Sequence, residues 1–237
     1  KIARGPYSFL LESMEGGEQQ GRYSFIGTEP YRLLRTGLGT ETGPVDPLLP
    51  IEQELAFHKS VTVEGLPRFI GGAIGYLSYE CVSYFESRVP PARNDPLGLP
   101  ESVFMFTDTL LVFDHLHHKI KIVSHAHLDL GAEDGYAQAV ERIETLALRL
   151  EEPLRLSHNE SPASASAEAK SNFTKEMYQD MVRRCKEYIV AGDIIQVVPS
   201  RRVARPTTAV PFDIYRALRA LNPSPYMYFL ALDDFHI

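Results

Sequence analysis

Residues 172–203 read NFTKEMYQDMVRRCKEYIVAGDIIQVVPSRRV, and the two halves of this stretch predict a helix followed by a strand. Apolar residues recur at steps of three and four from Met177 to Ile189, the period of an amphipathic helix. Thr174 suits the N-cap because its hydroxyl can accept from a first-turn amide. Gly192 suits the end of the helix because glycine adopts the left-handed conformation without a Cβ penalty.

The second half of the stretch, Ile194–Val198, has strand composition and is bounded by Pro199. We expect both faces of this strand to be buried, which makes Gln196 a polar side chain at a core position. An unpaired buried amide costs roughly 1–3 kcal/mol, so Gln196 needs a partner. That partner is either neighbouring backbone or a ligand in a cavity.

The rest of the chain alternates short strands with a few helices. The predicted strands are Tyr7–Leu11, Tyr23–Ile26, Tyr31–Arg35, Val103–Phe106, Leu110–Phe113, Lys119–Ser124 and Tyr226–Leu232. The predicted helices are Ile51–His58, Leu77–Phe85, Glu133–Glu151 and Phe212–Leu221. Glycines at 71, 72 and 75 match no phosphate-binding pattern, and we interpret them as points of close backbone approach.

Composition and connection lengths set the architecture. The 237 residues are 44% hydrophobic and 23% charged, which is typical of a soluble globular protein of one or two domains. Residues 152–171 contain prolines and a serine–alanine alternation that predict a linker between domains at 1–151 and 172–237. Because strands follow one another through short hairpins, we predict an α+β fold, mostly antiparallel sheets with helices packed outside.

Charge and hydropathy exclude two classes of function. The net charge of −7 is unlike that of a nucleic-acid-binding protein. The longest apolar run, Tyr226–Leu232, is too short to span a bilayer, and no cleavable signal pattern opens the chain. The two cysteines, Cys81 and Cys185, are predicted to be buried reduced thiols of a cytoplasmic protein.

Five histidines between residues 115 and 127 raise the hypothesis of a metal site. The alternative is a hairpin tip that collects polar residues, and the absence of a paired Cys/His motif favours it.

Several motifs together resemble one known family. They are LLES ending at Ser13, GRYSFIG at 21–27, GGAIGYLSYE at 71–80, GDIIQVVPSRR at 192–202 and NPSPYM at 222–227. Their order and wording resemble the chorismate-utilising enzymes, and QVVPS is most similar to component I of anthranilate synthase. Since the chain begins at Lys1 and stops after a predicted strand, we expect it to be an N-terminal portion that precedes the catalytic half.

The resemblance implies conversion of chorismate and ammonia to anthranilate and pyruvate in tryptophan biosynthesis. A glutamine amidotransferase subunit would deliver the ammonia, and Mg²⁺ would hold the substrate carboxylate. The resemblance places the Mg²⁺ ligands and most catalytic residues beyond Ile237, so we expect this chain alone to be inactive.

The resemblance also implies a feedback site for L-tryptophan. It assigns Glu12 and Ser13 to the amino-acid end of the ligand and Pro225, Tyr226 and Met227 to its opposite side. Arg22 is a weaker candidate, as a partner for the ligand's carboxylate. Carboxylate, hydroxyl and guanidinium groups suit amino-acid recognition, and an aromatic and apolar wall suits an indole.

Gln196 carries the remaining inference from the resemblance. Relatives that add water to chorismate have lysine at this position, and a neutral amide cannot act as the base that activates water. Gln196 therefore favours an amine-transferring enzyme. Two alternatives stay open: component I of aminodeoxychorismate synthase, in folate synthesis, and a tryptophan-binding regulatory module without catalysis.

Overall fold

The computed structural model describes residues 1–13, 21–91, 94–154 and 168–237. The chain divides into two compact units, one formed by Lys1–Leu156 with Ile214–Ile237 and the other by Ser157–Asp213. Most of the predicted linker, 152–171, lies outside the described residues. The predicted domains at 1–151 and 172–237 stay a prediction.

The secondary structure follows most of the sequence patterns. In chain order the strands are β1 (Tyr7–Glu12), β2 (Tyr23–Thr28), β3 (Arg32–Thr36), β4 (Gly72–Leu77), β5 (Ser102–Thr107), β6 (Thr109–Asp114), β7 (Lys119–Ser124), β8 (Lys170–Ser171), β9 (Val203–Ala204), β10 (Met227–Leu232) and β11 (Phe235–His236). The α-helices are α1 (Leu48–Ala56), α2 (Val82–Phe85), α3 (Ala132–Glu151), α4 (Lys175–Ala191) and α5 (Pro211–Leu221). The helix predicted at Leu77–Phe85 is wrong in its first half, because Leu77 ends a strand and Tyr79–Cys81 form a 3-10 turn before α2.

The first unit is built on two antiparallel sheets. One has six strands in the order β11-β10-β1-β2-β6-β7, and the other has three in the order β3-β5-β4. Every adjacent pair is antiparallel, so the α+β prediction is confirmed. Strand β1 lies between β10 and β2, which brings chain positions from both ends of the sequence together.

The main core lies between these two sheets. Phe9 and Leu230 from the larger sheet form one buried cluster with Ile74, Val103 and Met105 from the smaller sheet. The opposite face of β6 is covered by α3. There Leu111 and Leu146 are buried against each other, so that β6 is enclosed on both sides.

The glycines of the 71–75 segment lie where backbones approach closely, with one exception. A Cβ at Gly75 would lie 1.9 Å from the Val103 carbonyl oxygen, and one at Gly71 would lie 2.9 Å from the Thr107 carbonyl oxygen. A Cβ at Gly72 would meet nothing within 4 Å, but φ there is +124°, a conformation that favours glycine. The interpretation is confirmed for Gly71 and Gly75.

The second unit contains α4 with its predicted caps. The Thr174 hydroxyl accepts from the Met177 amide at 3.2 Å, and Gly192 adopts the left-handed conformation at φ 82°. No residue of α4 is fully buried.

The strand predicted at Ile194–Val198 is wrong. Residues 196–200 have no regular secondary structure, and Ile195 is 99% exposed. A strand needs a neighbouring backbone to hydrogen-bond with, and among the described residues of this unit only β8 and β9 pair. The side chain of Gln196 is accordingly exposed and does not occupy the predicted core position.

The sequence also predicts the state of the two cysteines and the lack of a membrane-spanning segment. Cys81 is buried and Cys185 is half-buried, and both are free thiols. Across the described ranges, none of the helices is both long and apolar enough to cross a lipid bilayer.

Candidate functional site

A cavity of about 730 Å³ opens at the end of β1 in the first unit. It is lined by all six residues that the family resemblance assigns to an amino-acid site. The lining residues are Leu11, Glu12, Ser13, Gly21, Arg22, Tyr23, Phe25, Phe69, Pro225, Tyr226, Met227 and Tyr228.

Strand pairing explains why residues so far apart in sequence share this cavity. In the antiparallel register, Glu12 lies opposite Met227 on β10 and opposite Ser24 on β2. Ser13, Arg22 and Tyr226, which directly flank these strand ends, therefore lie at the same end of the sheet. The LLES, GRYSFIG and NPSPYM motifs meet because β1 lies between β10 and β2.

The floor of the cavity is apolar and aromatic. Phe25 and Phe69 pack edge to face with their ring centroids 5.2 Å apart, and Tyr23 lies beside Phe25 at 6.0 Å. Met227 is 7% exposed, whereas Tyr226 is 83% exposed. A flat aromatic group would contact ring edges and a thioether here, a favourable environment for an aromatic ligand.

Glu12 supplies a carboxylate to one wall. Its Oε2 accepts a hydrogen bond from the Tyr215 hydroxyl at 2.6 Å and another from Arg219 Nε at 3.0 Å. The Glu12 side chain is only 12% exposed. Burial, followed by the hydrogen bond to Glu12, raises the pKa of Tyr215 well above its ordinary value, so the phenol stays a donor at neutral pH.

Arg22 supplies a guanidinium to the cavity and forms an ion pair with Asp114. Nε and Nη2 of Arg22 donate to the two carboxylate oxygens of Asp114 at 3.3 and 3.1 Å, and the guanidinium carbon lies 4.7 Å from the Tyr23 ring centroid. The Asp114 side chain is fully buried. Hydrogen bonds from Arg22 hold the pKa of Asp114 far below its usual range, and those from His117 act in the same direction. The hydrogen bond to Asp114 also raises the pKa of Arg22.

Sequence reasoning missed the residues that support the site. Tyr215 and Arg219 are spaced i, i+4 and therefore share a face of α5, but the sequence does not say which strand that face meets. Asp114 ends an apolar strand and lies opposite Tyr23 in the β2–β6 register. Such a buried acid after LLVF was a signal that a cation would lie nearby.

Three of the clustered histidines form hydrogen bonds with separate partners. His115 contacts the Ser24 hydroxyl at 2.7 Å, His125 the Ile70 carbonyl oxygen at 2.9 Å, and His127 the Asp108 carboxylate at 2.7 Å. Within the described residues, no group of three or more His, Cys, Asp or Glu side chains is arranged to hold a metal ion. The Mg²⁺ that the family resemblance implies has its ligands beyond Ile237 in that resemblance, and it stays a prediction.

The lining of the cavity has the chemistry of a small-molecule binding site. Among the described residues that line it, the cavity combines the Glu12 carboxylate, the Arg22 guanidinium and the Ser13 hydroxyl with an aromatic floor. These groups match a small zwitterion that carries a flat apolar side chain.

Comparison with known proteins gives a consistent result. The family described as "chorismate binding enzyme" matches residues 7–237. The chain is 46% identical over 233 residues to "Probable anthranilate synthase component 1" of Schizosaccharomyces pombe, covering 98% of this chain and 46% of that protein. It is 42% identical over 252 residues to "Anthranilate synthase component 1" of Pseudomonas aeruginosa, covering 100% of this chain and 51% of that one.

A solved structure agrees with this. The crystal structure of anthranilate synthase component I from Streptococcus pneumoniae matches with a TM-score of 0.70 at 28% identity, over 91% of this chain and 48% of that one. The chain thus spans about half the length of the relatives it matches. Because the family match extends over nearly the whole chain, the resemblance inferred from the motifs is confirmed, and the chain belongs to the family of chorismate-binding enzymes.

Proposed function

We propose that the chain is part of a cytoplasmic anthranilate synthase component I whose cavity binds L-tryptophan as a feedback inhibitor. The intact enzyme would convert chorismate and ammonia to anthranilate and pyruvate, with a glutamine amidotransferase subunit as partner and Mg²⁺ as cofactor. The observation that carries the proposal is the meeting of Glu12 and Ser13 with Pro225–Met227 around one cavity. The names of the similar proteins support the enzyme assignment.

The cavity suits tryptophan in size and chemistry. A volume of about 730 Å³ lies within the range of roughly 300–1,000 Å³ that small-molecule sites occupy. The indole would lie on the floor formed by Phe25, Phe69 and Met227, and the ammonium would face Glu12. Arg22 would receive the carboxylate. Because Asp114 already neutralises Arg22, this contact would be a hydrogen bond more than a strong ion pair.

A direct titration tests the ligand. The chain contains no tryptophan, so added L-tryptophan is the only indole in the sample and its own fluorescence reports binding. We expect saturable binding, and we expect Ser13→Ala to weaken it about threefold to tenfold through loss of one hydrogen bond. Ser60→Ala, an exposed serine outside the cavity, is the matched control. Absence of saturable binding up to millimolar tryptophan would overturn the proposed ligand.

The catalytic part of the proposal concerns the intact enzyme. The side chain of Gln196 is exposed in this chain. We propose that its role as an active-site amide, which favours amine transfer over water addition, is exercised in the complete protein. We expect this chain alone to bind tryptophan without turning over chorismate. An assay for anthranilate fluorescence with ammonia, Mg²⁺ and chorismate checks this, and any ammonia-dependent signal from the chain contradicts it.

A further inference from the structure

The Glu12 carboxylate is held by two residues of one helix. Tyr215 and Arg219 lie one turn apart on α5 and both donate to the same oxygen, Oε2. Neither residue lines the cavity. They contact the cavity wall through Glu12.

The Tyr215 side chain that supports Glu12 is buried and packed against the sheet. Tyr215 is 6% exposed, and its ring packs against Phe229 with centroids 5.7 Å apart. Phe229 lies on β10 opposite Leu10 of β1, so the tyrosine is anchored to the same pair of strands that carries Glu12 and Met227. Its hydroxyl therefore reaches Glu12 from a buried ring that is packed on this pair of strands.

A free glutamate side chain samples several rotamers, and ordering it on binding reduces affinity. The two donors from α5 remove most of that freedom before any ligand arrives. Arg219 also balances the negative charge of Glu12, so the cavity wall is not left with an uncompensated buried carboxylate. An ammonium group then meets a carboxylate that is already in place, and because Arg219 balances its charge, the contact is an oriented hydrogen bond more than a strong ion pair.

We propose that Tyr215 and Arg219 are positioning residues that fix the Glu12 carboxylate and thereby set the preference of the cavity for ligands with an ammonium group. The inference rests on the proposed tryptophan site. It assigns to α5 a function in ligand selectivity that is separate from its packing on the sheet.

The test compares two ligands on the full chain. L-tryptophan carries the ammonium group, whereas indolepropionate has the same ring and carboxylate without it. Tyr215→Phe keeps the buried ring and removes only the hydroxyl. We expect it to weaken tryptophan binding about tenfold and to change indolepropionate binding by less than about twofold. A variant that merely loosened the fold would weaken both ligands alike.

Tyr84→Phe is the matched control, because Tyr84 also donates to a glutamate, Glu101 at 2.7 Å, outside the cavity. It should leave both affinities unchanged. Arg219→Lys keeps the charge but loses the planar Nε–H donor, and should shift selectivity in the same direction as Tyr215→Phe. If Tyr215→Phe did not fold, as judged by circular dichroism, Arg219→Lys would decide the question.

A double-mutant cycle locates the effect. In a Glu12→Gln background the carboxylate is gone, so Tyr215→Phe should weaken tryptophan binding by less than about twofold. Failure of the wild-type chain to bind tryptophan would overturn the proposed function. If the wild type binds tryptophan, three results for Tyr215→Phe would overturn the positioning role alone. They are an equal loss of affinity for both ligands, no change for either ligand, and tighter binding of tryptophan.

Discussion

Strand β6 and the segment Ile194–Val198 both carry an apolar run, but only β6 forms a buried strand. Leu110, Leu111 and Val112 of β6 are completely buried, whereas Ile195 is 99% and Val198 78% exposed. Strand β6 has β2 on one side, β7 on the other and α3 over one face. The 194–198 segment has no strand partner among the described residues. An apolar run becomes a strand when the chain supplies its neighbours.

The largest expected effect tests whether close pairing of neighbouring strands stabilises the first unit. The variant is Gly75→Ala in β4, which pairs with β5. The new Cβ would lie 1.9 Å from the Val103 carbonyl oxygen, and backbone cannot move aside as a side chain can. We expect the free energy of unfolding to fall by about 3 kcal/mol, because the overlap separates β4 from β5. Urea denaturation followed by circular dichroism measures it.

Gly39→Ala is the control for that substitution. Its Cβ would meet nothing within 4 Å, and only the left-handed φ of +78° is unfavourable for alanine. We expect a loss of about 1 kcal/mol. Equal losses at the two glycines would mean that close packing of the paired strands is not what stabilises this region.

Asp114→Asn tests the buried ion pair behind the cavity. Asp114 accepts from Arg22 and His117, with Lys121 Nζ 3.7 Å away. We expect a loss of about 2 kcal/mol at neutral pH, because an amide cannot accept at both positions or balance the guanidinium. Asp129→Asn, at an exposed carboxylate, should change stability by less than about 0.5 kcal/mol.

The stabilisation by Asp114 should also depend on pH. Since the pKa of Asp114 is lower in the folded than in the unfolded state, its stabilisation is complete above the unfolded value of about 3.9 and is lost as the pH falls from there through the folded pKa. The difference in unfolding free energy between wild type and Asp114→Asn should therefore be constant above about pH 5 and should narrow below about pH 4. A difference that widened on acidification would contradict the assignment.

Thr174→Ala tests the helix of the second unit, which forms with little burial. The lost hydrogen bond to the Met177 amide should destabilise α4 by about 1 kcal/mol. Hydrogen exchange on the full chain should show amides of α4 exchanging about fivefold faster, with no change in β1 or β6. Thr208→Ala, an exposed threonine of the same unit, should leave both regions unchanged.

These contrasts explain which features the sequence could predict. Thr174 and Gly192 act within their own turns, so the ends of α4 follow from local sequence alone. The cavity residues Glu12 and Met227 became predictable only through motif resemblance, because their proximity depends on the β1–β10 register. The partner of Tyr215, and which cation pairs with Asp114, depend on which faces meet in three dimensions, which no local pattern specifies. The prediction for Gln196 failed because apolar composition does not reveal whether a partner strand is present.

The smallest expected effect is the most direct test of the comparison. Val198→Thr replaces a methyl group by a hydroxyl at a position that is 78% exposed, so the unfolding free energy should change by less than about 0.5 kcal/mol. Val103→Thr makes the same change at a position that is 1% exposed, where the hydroxyl would be desolvated at a loss of about 2 kcal/mol. Urea denaturation of the two variants in parallel measures the contrast. Comparable losses would show that residues 194–198 are buried in solution, and the distinction between a partnered and an unpartnered apolar run would fail.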